Sequence, residues 1–162
     1  MFFYEQISLS LFFLVSTQII LYMVLIKDYR RITGTNMGPK IGTILETSYL
    51  KYKNDNFNID KIIIFIDLHC IGCERVIKSL QKVGTNFKNI SIITGGSAEE
   101  IRTWKENKNI MLDIENINIS VINRYYNINA FPYYIKMTHE KVSEKGLLNE
   151  ISVIKLYNEV EK

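Results

Sequence analysis

The hydrophobic pattern of this chain begins without any period. Ile7 to Ile26 (ISLSLFFLVSTQIILYMVLI) is twenty residues free of charge, and at about 1.5 Å of rise per residue such a helix covers the roughly 30 Å of a bilayer's hydrocarbon. The pattern predicts a transmembrane helix over residues 7–26, after a short flank at 1–6. A cleavable leader would carry a positive n-region and a small-x-small site. Here Glu5 precedes the run and Val24-Leu25-Ile26-Lys27 closes it, so the anchor is expected to stay. Residues 27–56 lose any sustained period and are punctuated by Gly34, Gly38, Pro39 and Gly42, which reads as a linker. Its later part, Ile41 to Lys53, can add an edge strand or hairpin to the domain beyond it.

Residues 57–162 carry the patterns of one compact domain. Lys61-Ile-Ile-Ile-Phe-Ile-Asp67 holds five consecutive apolar residues, the signature of a central strand covered on both faces. Val76, Ile77, Leu80 and Val83 then recur at helical spacing, with Gly84 placed to supply a left-handed cap. Asn89 to Thr94 predicts a second strand. Ser97 and Glu100 form a capping box before a helix bearing Ile101 and Trp104, residues expected to serve the core. A short apolar stretch at Ile110 to Leu112 and a brief helix around Ser120 to Tyr126 lead to Ala130-Phe131-Pro132. Beyond Pro132 the period changes to two: Tyr133 to Met137 and Lys141 to Lys145 predict an antiparallel hairpin, and Ile151, Ile154 and Tyr157 a final amphipathic helix. A β-α-β-α run followed by ββα describes an α/β domain, a mixed sheet sandwiched by helices.

Composition narrows the function by exclusion. The net charge is +3, and twenty basic residues are scattered among seventeen acidic ones, so no patch tracks a phosphate backbone and nucleic acid is not an expected partner. No Ser-His-Asp set, glycine-rich phosphate loop or paired catalytic carboxylates occur at informative spacing, which leaves hydrolase and kinase readings without support.

Chemistry concentrates instead in the two cysteines, both in Cys70-Ile71-Gly72-Cys73, between a buried strand and the first turn of a helix. A helix N-terminus offers unpaired N–H groups and about half a positive charge, which stabilise a thiolate on Cys70, the nucleophile. Two intervening residues let Cys73 sit one turn along, close enough to attack a mixed disulfide formed by Cys70, with Gly72 leaving room for the approach. The competing use of the same sulfurs is as metal ligands or in a binding module, with His69 or His139 recruited. His139 lies in a polar turn and is expected to be solvated.

With these residues in view, the domain resembles the thioredoxin superfamily over roughly residues 57–162. More narrowly it resembles its membrane-anchored branch, which includes MauD-like and other thiol–disulfide interchange proteins. The resemblance rests on Ile62 to Ile66 before the motif, Cys70-x-x-Cys73 at the helix start, Tyr126-Asn-Ile-Asn-Ala-Phe-Pro132 in place of the family's proline loop, and Gly146 before the last helix. It implies a thioredoxin-like sheet, a cis peptide at Phe131-Pro132, and catalysis by Cys70 and Cys73. It also implies substrate contact through Phe131 and Pro132 together with His69, Ile71 and Gly72, the residues around the first cysteine. Protein thiol or disulfide clients, and a membrane or soluble redox partner, are the implied partners, with no bound cofactor or metal. The chain departs from the family in three places. His69 stands where many members have Trp; Glu74 follows the second cysteine where a basic residue is common; and no carboxylate lies within Ile62 to Phe65, Asp67 being nearer the motif. Glu74 should oppose thiolate formation, while Arg75, Lys78 and a protonated His69 should favour it, and both reducing and oxidising directions stay open.

Compartment is read from two opposed signals. Lys27, Arg30 and Arg31 follow the span and no Lys or Arg precedes it, which by the positive-inside rule puts the domain in the cytoplasm. Disulfide chemistry belongs outside. The expectation adopted is a single-pass cell-membrane protein with its domain extracytoplasmic, against the charge count.

Overall fold

The structure, a computed structural model, describes residues 12–26, 37–45, 60–85 and 87–160. The chain divides into two compact units, Met1–Asn36 and Met37–Lys162. In the first, residues 12–26 form helix α1, whose large apolar side chains from Phe12 to Leu25 are exposed. Its hydroxyls are spent on its own backbone: Ser16 donates to the carbonyls of Phe12 and Phe13, and Thr17 to those of Phe13 and Leu14. That is how an apolar helix accommodates hydroxyl groups without an external partner. Residues 7–11 of the predicted span lie outside the described residues, and no helix among the described residues is long and apolar enough to cross a membrane.

The second unit is a five-stranded mixed sheet with helices packed against it. Its elements run β1 (Lys61–Ile66), α2 (Ile71–Val83), β2 (Ile90–Thr94), α3 (Ala98–Lys108), β3 (Glu115–Asn116), a π-helical turn (Val121–Tyr125), β4 (Tyr133–Thr138), β5 (Lys141–Leu147) and α4 (Glu150–Val160). The strand order is β3-β2-β1-β4-β5. β1 pairs parallel with β2 and antiparallel with β4. The five-residue apolar run is therefore the centre of the sheet, as its pattern predicts.

Because side chains alternate along a strand, β1 feeds two cores. Ile62, Ile64 and Ile66 join Cys73, Val76, Ile77 and Leu80 of α2 and Val153 and Leu156 of α4. Ile63 and Phe65 join Ile122, Tyr126, Tyr133 and Ile135 on the opposite face. All of β1 from Ile62 to Ile66 is sealed from solvent, so the strand is a rigid mount for the turn at its C-terminal end.

Several local expectations hold and one, at Gly84, is corrected. The Ser97–Glu100 capping box is present in full, and the hairpin forms with a bulge at Lys136/Met137. Trp104 is buried in the core. Gly84, however, is no left-handed cap: its φ of 175° is extended, and its N–H still reaches the Leu80 carbonyl at 3.3 Å. The brief helix expected before the proline loop is present as a π-helical turn over Val121–Tyr125.

The segment Met37–Leu45 is tied to the sheet. Gly42 N–H donates to Val142 O, Val142 N–H to Thr43 O, and the Tyr133 hydroxyl to Met37 O at 2.6 Å. Ile44 makes an isolated antiparallel bridge with Lys141 at the β5 edge. The rest of the expected edge element, residues 46–53, lies outside the described residues.

Candidate functional site

Where β1 ends, the chain turns through Asp67-Leu68-His69 and enters α2 at Cys70. Cys70 is the residue that caps the helix: its backbone is extended (φ −91°, ψ 116°), and its sulfur accepts the Cys73 N–H at 3.2 Å. A cysteine thus occupies the position usually held by Ser, Thr, Asp or Asn, where an acceptor meets the first free N–H groups of the helix. The N–H that satisfies the cap is the donor suited to an anionic sulfur.

Cys73 sits one turn deeper and is fully buried against the β1 core. Its sulfur accepts the Asp67 N–H at 3.5 Å. Burial above all pushes the Cys73 thiol well up, and its hydrogen bond with Cys70 adds to that, while the Asp67 N–H pulls the other way. Both cysteines are free thiols, Cys70 partly exposed and Cys73 buried. The pair is therefore asymmetric: one sulfur is reachable at the helix mouth and the other is held protonated beneath it.

The other residues singled out from the sequence fall around this pair to different degrees. The Phe131 carbonyl accepts from the Cys70 thiol at 3.5 Å, and the Phe131-Pro132 peptide is cis. The Pro132 carbonyl accepts the Leu148 N–H at 2.9 Å, which fixes this loop to the start of α4. Ile71 is 70% exposed beside Cys70. A Cβ on Gly72 would stand 3.6 Å from Pro132 Cδ and 3.7 Å from Cys70 Sγ, ordinary contacts, so Gly72 brings α2 against the proline loop without being the sole residue that fits. His69 is exposed, its N–H donating to Asp67 Oδ1 at 2.7 Å, which turns the Asp67 carboxylate back onto the loop. His139 is elsewhere: it stands in the β4–β5 turn with φ of 50°, at the opposite end of β4 from Pro132. Among the described residues no group of three His, Cys, Asp or Glu is placed to hold a metal ion.

The charges expected to act on Cys70 are largely spent on one another. Glu74 pairs with Lys78 at 2.8 Å and with Lys108 at 2.9 Å, hydrogen bonds that hold its carboxyl below the usual carboxylate range. Arg75 lies 3.8 Å from Glu150. Lys108 closes this arrangement from the end of α3, thirty-four positions away, and no local sequence signal indicates it.

Comparison with known proteins places this geometry in a fold. No family model matches the chain, and no curated protein does. Solved structures do match, and the architecture they share with this domain is the thioredoxin-like fold of thiol–disulfide oxidoreductases. One is StoA from Bacillus subtilis, 10% identical, with a TM-score of 0.51 over 72% of this chain and 98% of that one. A thioredoxin-like protein from Parabacteroides distasonis matches at 0.54, 8% identical, over 75% of this chain and 96% of its own. The thioredoxin domain of a thiol–disulfide oxidoreductase from Bacteroides vulgatus matches at 0.50, 18% identical, over 64% and 80%.

Proposed function

We propose that this protein is a membrane-anchored thiol–disulfide oxidoreductase that exchanges disulfides with protein clients through Cys70 and Cys73. The observation that carries the reading is the asymmetry of the pair, a reachable sulfur held by the Cys73 N–H at 3.2 Å above a buried one. In the reducing direction the Cys70 thiolate attacks one sulfur of a client disulfide, forming a Cys70–client bond and expelling the other client sulfur as a thiolate, which takes up a proton. Cys73 then loses its proton and attacks Cys70 Sγ. The Cys70–Cys73 bond forms, the client leaves as a second thiol, and two electrons have passed from protein to client. Run backwards, the same steps oxidise a client dithiol. A redox partner carrying a dithiol or disulfide resets the pair.

Burial gives Cys73 its part in this scheme. A thiol kept protonated cannot compete for the incoming disulfide, and attacks only when the mixed disulfide has formed beside it. Phe131 and Pro132, with His69, Ile71 and Gly72, are the surface that would meet the client. The uncharged run at 7–26 supports anchoring in a bilayer, and the use of disulfides supports placing the domain on the extracytoplasmic side. Kinship with the MauD-like branch would make the role maturation of a particular partner.

The test is a trap. The Cys73→Ser protein, expressed in full length, is expected to accumulate a mixed disulfide between Cys70 and a client that dissolves on adding a reductant; the same preparation of a Cys70→Ser, Cys73→Ser protein yields none. Tight metal retention by the unaltered protein with no trapped adduct would overturn the reading in favour of a metal-binding module. A topology reporter fused after Lys162 decides the compartment.

A further inference from the structure

The turn that delivers Cys70 also forms one wall of a cavity that shares only His69 with the surface proposed to meet the client. Its volume is about 230 Å³, and it shares no lining residue with the proline loop. Ile66, Leu68 and Ile119 give it apolar walls, and Asp67, His69, Thr94 and Glu100 its polar groups. Gly95 and Gly96 complete the lining: a Cβ on Gly95 would stand 2.6 Å from Ile119 Cδ1 and 2.9 Å from its Cβ, too close for a side chain, while one on Gly96 would meet the end of the Leu68 side chain at 2.6 Å, which can turn aside. The Ile119 wall closes directly over the Gly95 backbone.

Two of its four polar side chains are carboxylates, acceptors only, and both are held in place. Glu100 Oε2 accepts the Ser97 N–H at 2.7 Å in the capping box, and Asp67 Oδ1 accepts the His69 N–H at 2.7 Å, leaving each carboxylate a second oxygen. Thr94, 1% exposed, adds a hydroxyl whose contact is the Gly96 N–H at 3.5 Å. Among the described residues no lysine or arginine lines the cavity, and His69 is the one lining group able to carry positive charge. Apolar walls together with two carboxylates suit a side chain with an aliphatic stem and a cationic head.

The cavity begins at His69, one residue before Cys70. Because His69 lines the cavity and also belongs to the surface proposed to meet the client, one or two residues beside a client cysteine bonded to Cys70, spanning about 3.5–7 Å, are enough to pass from the sulfur to the residue that edges the cavity. We infer that this cavity is a specificity subsite of the exchange reaction, receiving a lysine or arginine side chain that adjoins the reactive cysteine of the client. The inference rests on the exchange reading proposed above, and adds to it a preference for basic sequence around the client disulfide.

Three matched disulfide peptides, differing only in Lys, norleucine or Glu beside the cysteine, test it against the reduced full-length protein. The second-order exchange rate is expected to be at least about tenfold higher for Lys than for Glu, equivalent to about 1.4 kcal/mol, with norleucine between them. Glu100→Gln preserves the capping box, since Gln serves at that position as Glu does. It and Asp67→Asn should each cut the Lys-to-Glu ratio at least threefold. A ratio within twofold in the unaltered protein, or one that neither substitution moves, overturns the subsite while leaving the exchange reading standing. Absence of exchange with all three peptides overturns the exchange reading itself, and the subsite with it.

Discussion

Replacing Cys70 by Ser should lower the rate of disulfide exchange by about a thousandfold or more, since a hydroxyl at this position is neither anionic nor a leaving group, and the chain's other thiol, Cys73, is buried. The rest of the site would survive the change. Serine is itself a favoured helix cap, so the Cys73 N–H keeps an acceptor and α2 keeps its start. A loss of exchange in a protein whose circular dichroism and unfolding midpoint match the parent therefore reports chemistry rather than folding. Retention of even a tenth of the activity would move the attacking role to Cys73, and with it the whole assignment of roles in the pair. A turnover assay with a fluorogenic disulfide substrate reads this directly.

The second large effect is expected far from the cysteines, in the strand that aims them. Phe65 is fully buried, pairs across the sheet with Ile93 and Tyr133, and holds its ring centroid 5.5 Å from that of Tyr126. Phe65→Ala removes a large side chain from a space that β1, β2 and β4 keep from collapsing, a change that costs about 3–5 kcal/mol. Against a whole-domain stability of about 5–15 kcal/mol this is a large fraction. With a urea dependence of about 1–3 kcal/mol per molar, the unfolding midpoint should fall by roughly 1–5 M. Ile151→Ala, at a side chain 83% exposed, is the comparison and should change stability by less than about 0.5 kcal/mol. A Phe65→Ala protein within about 1 kcal/mol of its parent would show that this face of β1 is not packed as described.

Legibility in the sequence depends on which forces are local. The run from Ile62 to Ile66 announces a central strand because burial on both faces leaves no polar position in it. Ser97 and Glu100 announce a helix start because the residues that satisfy the cap are only three apart. The cysteine pair is legible for the same reason: a strand end, a helix start and a spacing of three residues bring both sulfurs to one turn. Features set by distant partners are not. β3 is two residues, Glu115–Asn116, too short to show any period, and is a strand only because Ile93 and Thr94 lie beside it. The Lys145 ammonium bonds the carbonyls of Met37 and Gly38, more than a hundred positions earlier, and so helps bind that segment to the sheet. Gly84 suits a left-handed cap by residue type, but the chain leaves α2 in an extended conformation with the Phe87 ring against the glycine, at 3.1 Å from where a Cβ would be.

The electrostatics of the site show the same division. Read along the chain, Glu74 opposes a thiolate and Lys78 and Arg75 favour it. Folded, Glu74 lies between Lys78 and Lys108, and Arg75 faces Glu150 from α4. Exposed pairs of this kind contribute little to stability, yet they decide which charges remain to act on Cys70. What acts at closest range is the backbone, the Cys73 N–H on one sulfur and the Asp67 N–H on the other.

Every step proposed for the pair requires one sulfur open to attack chemistry while its neighbour is shut away. Timed alkylation of the reduced protein with iodoacetamide at pH 7, with the modified residue located by mass spectrometry, measures this. Cys70 should be labelled about a hundredfold faster than Cys73, because Cys70 is accessible while burial both covers Cys73 and holds its thiol protonated. Equal labelling of the two, or faster labelling of Cys73, would contradict the assignment of roles.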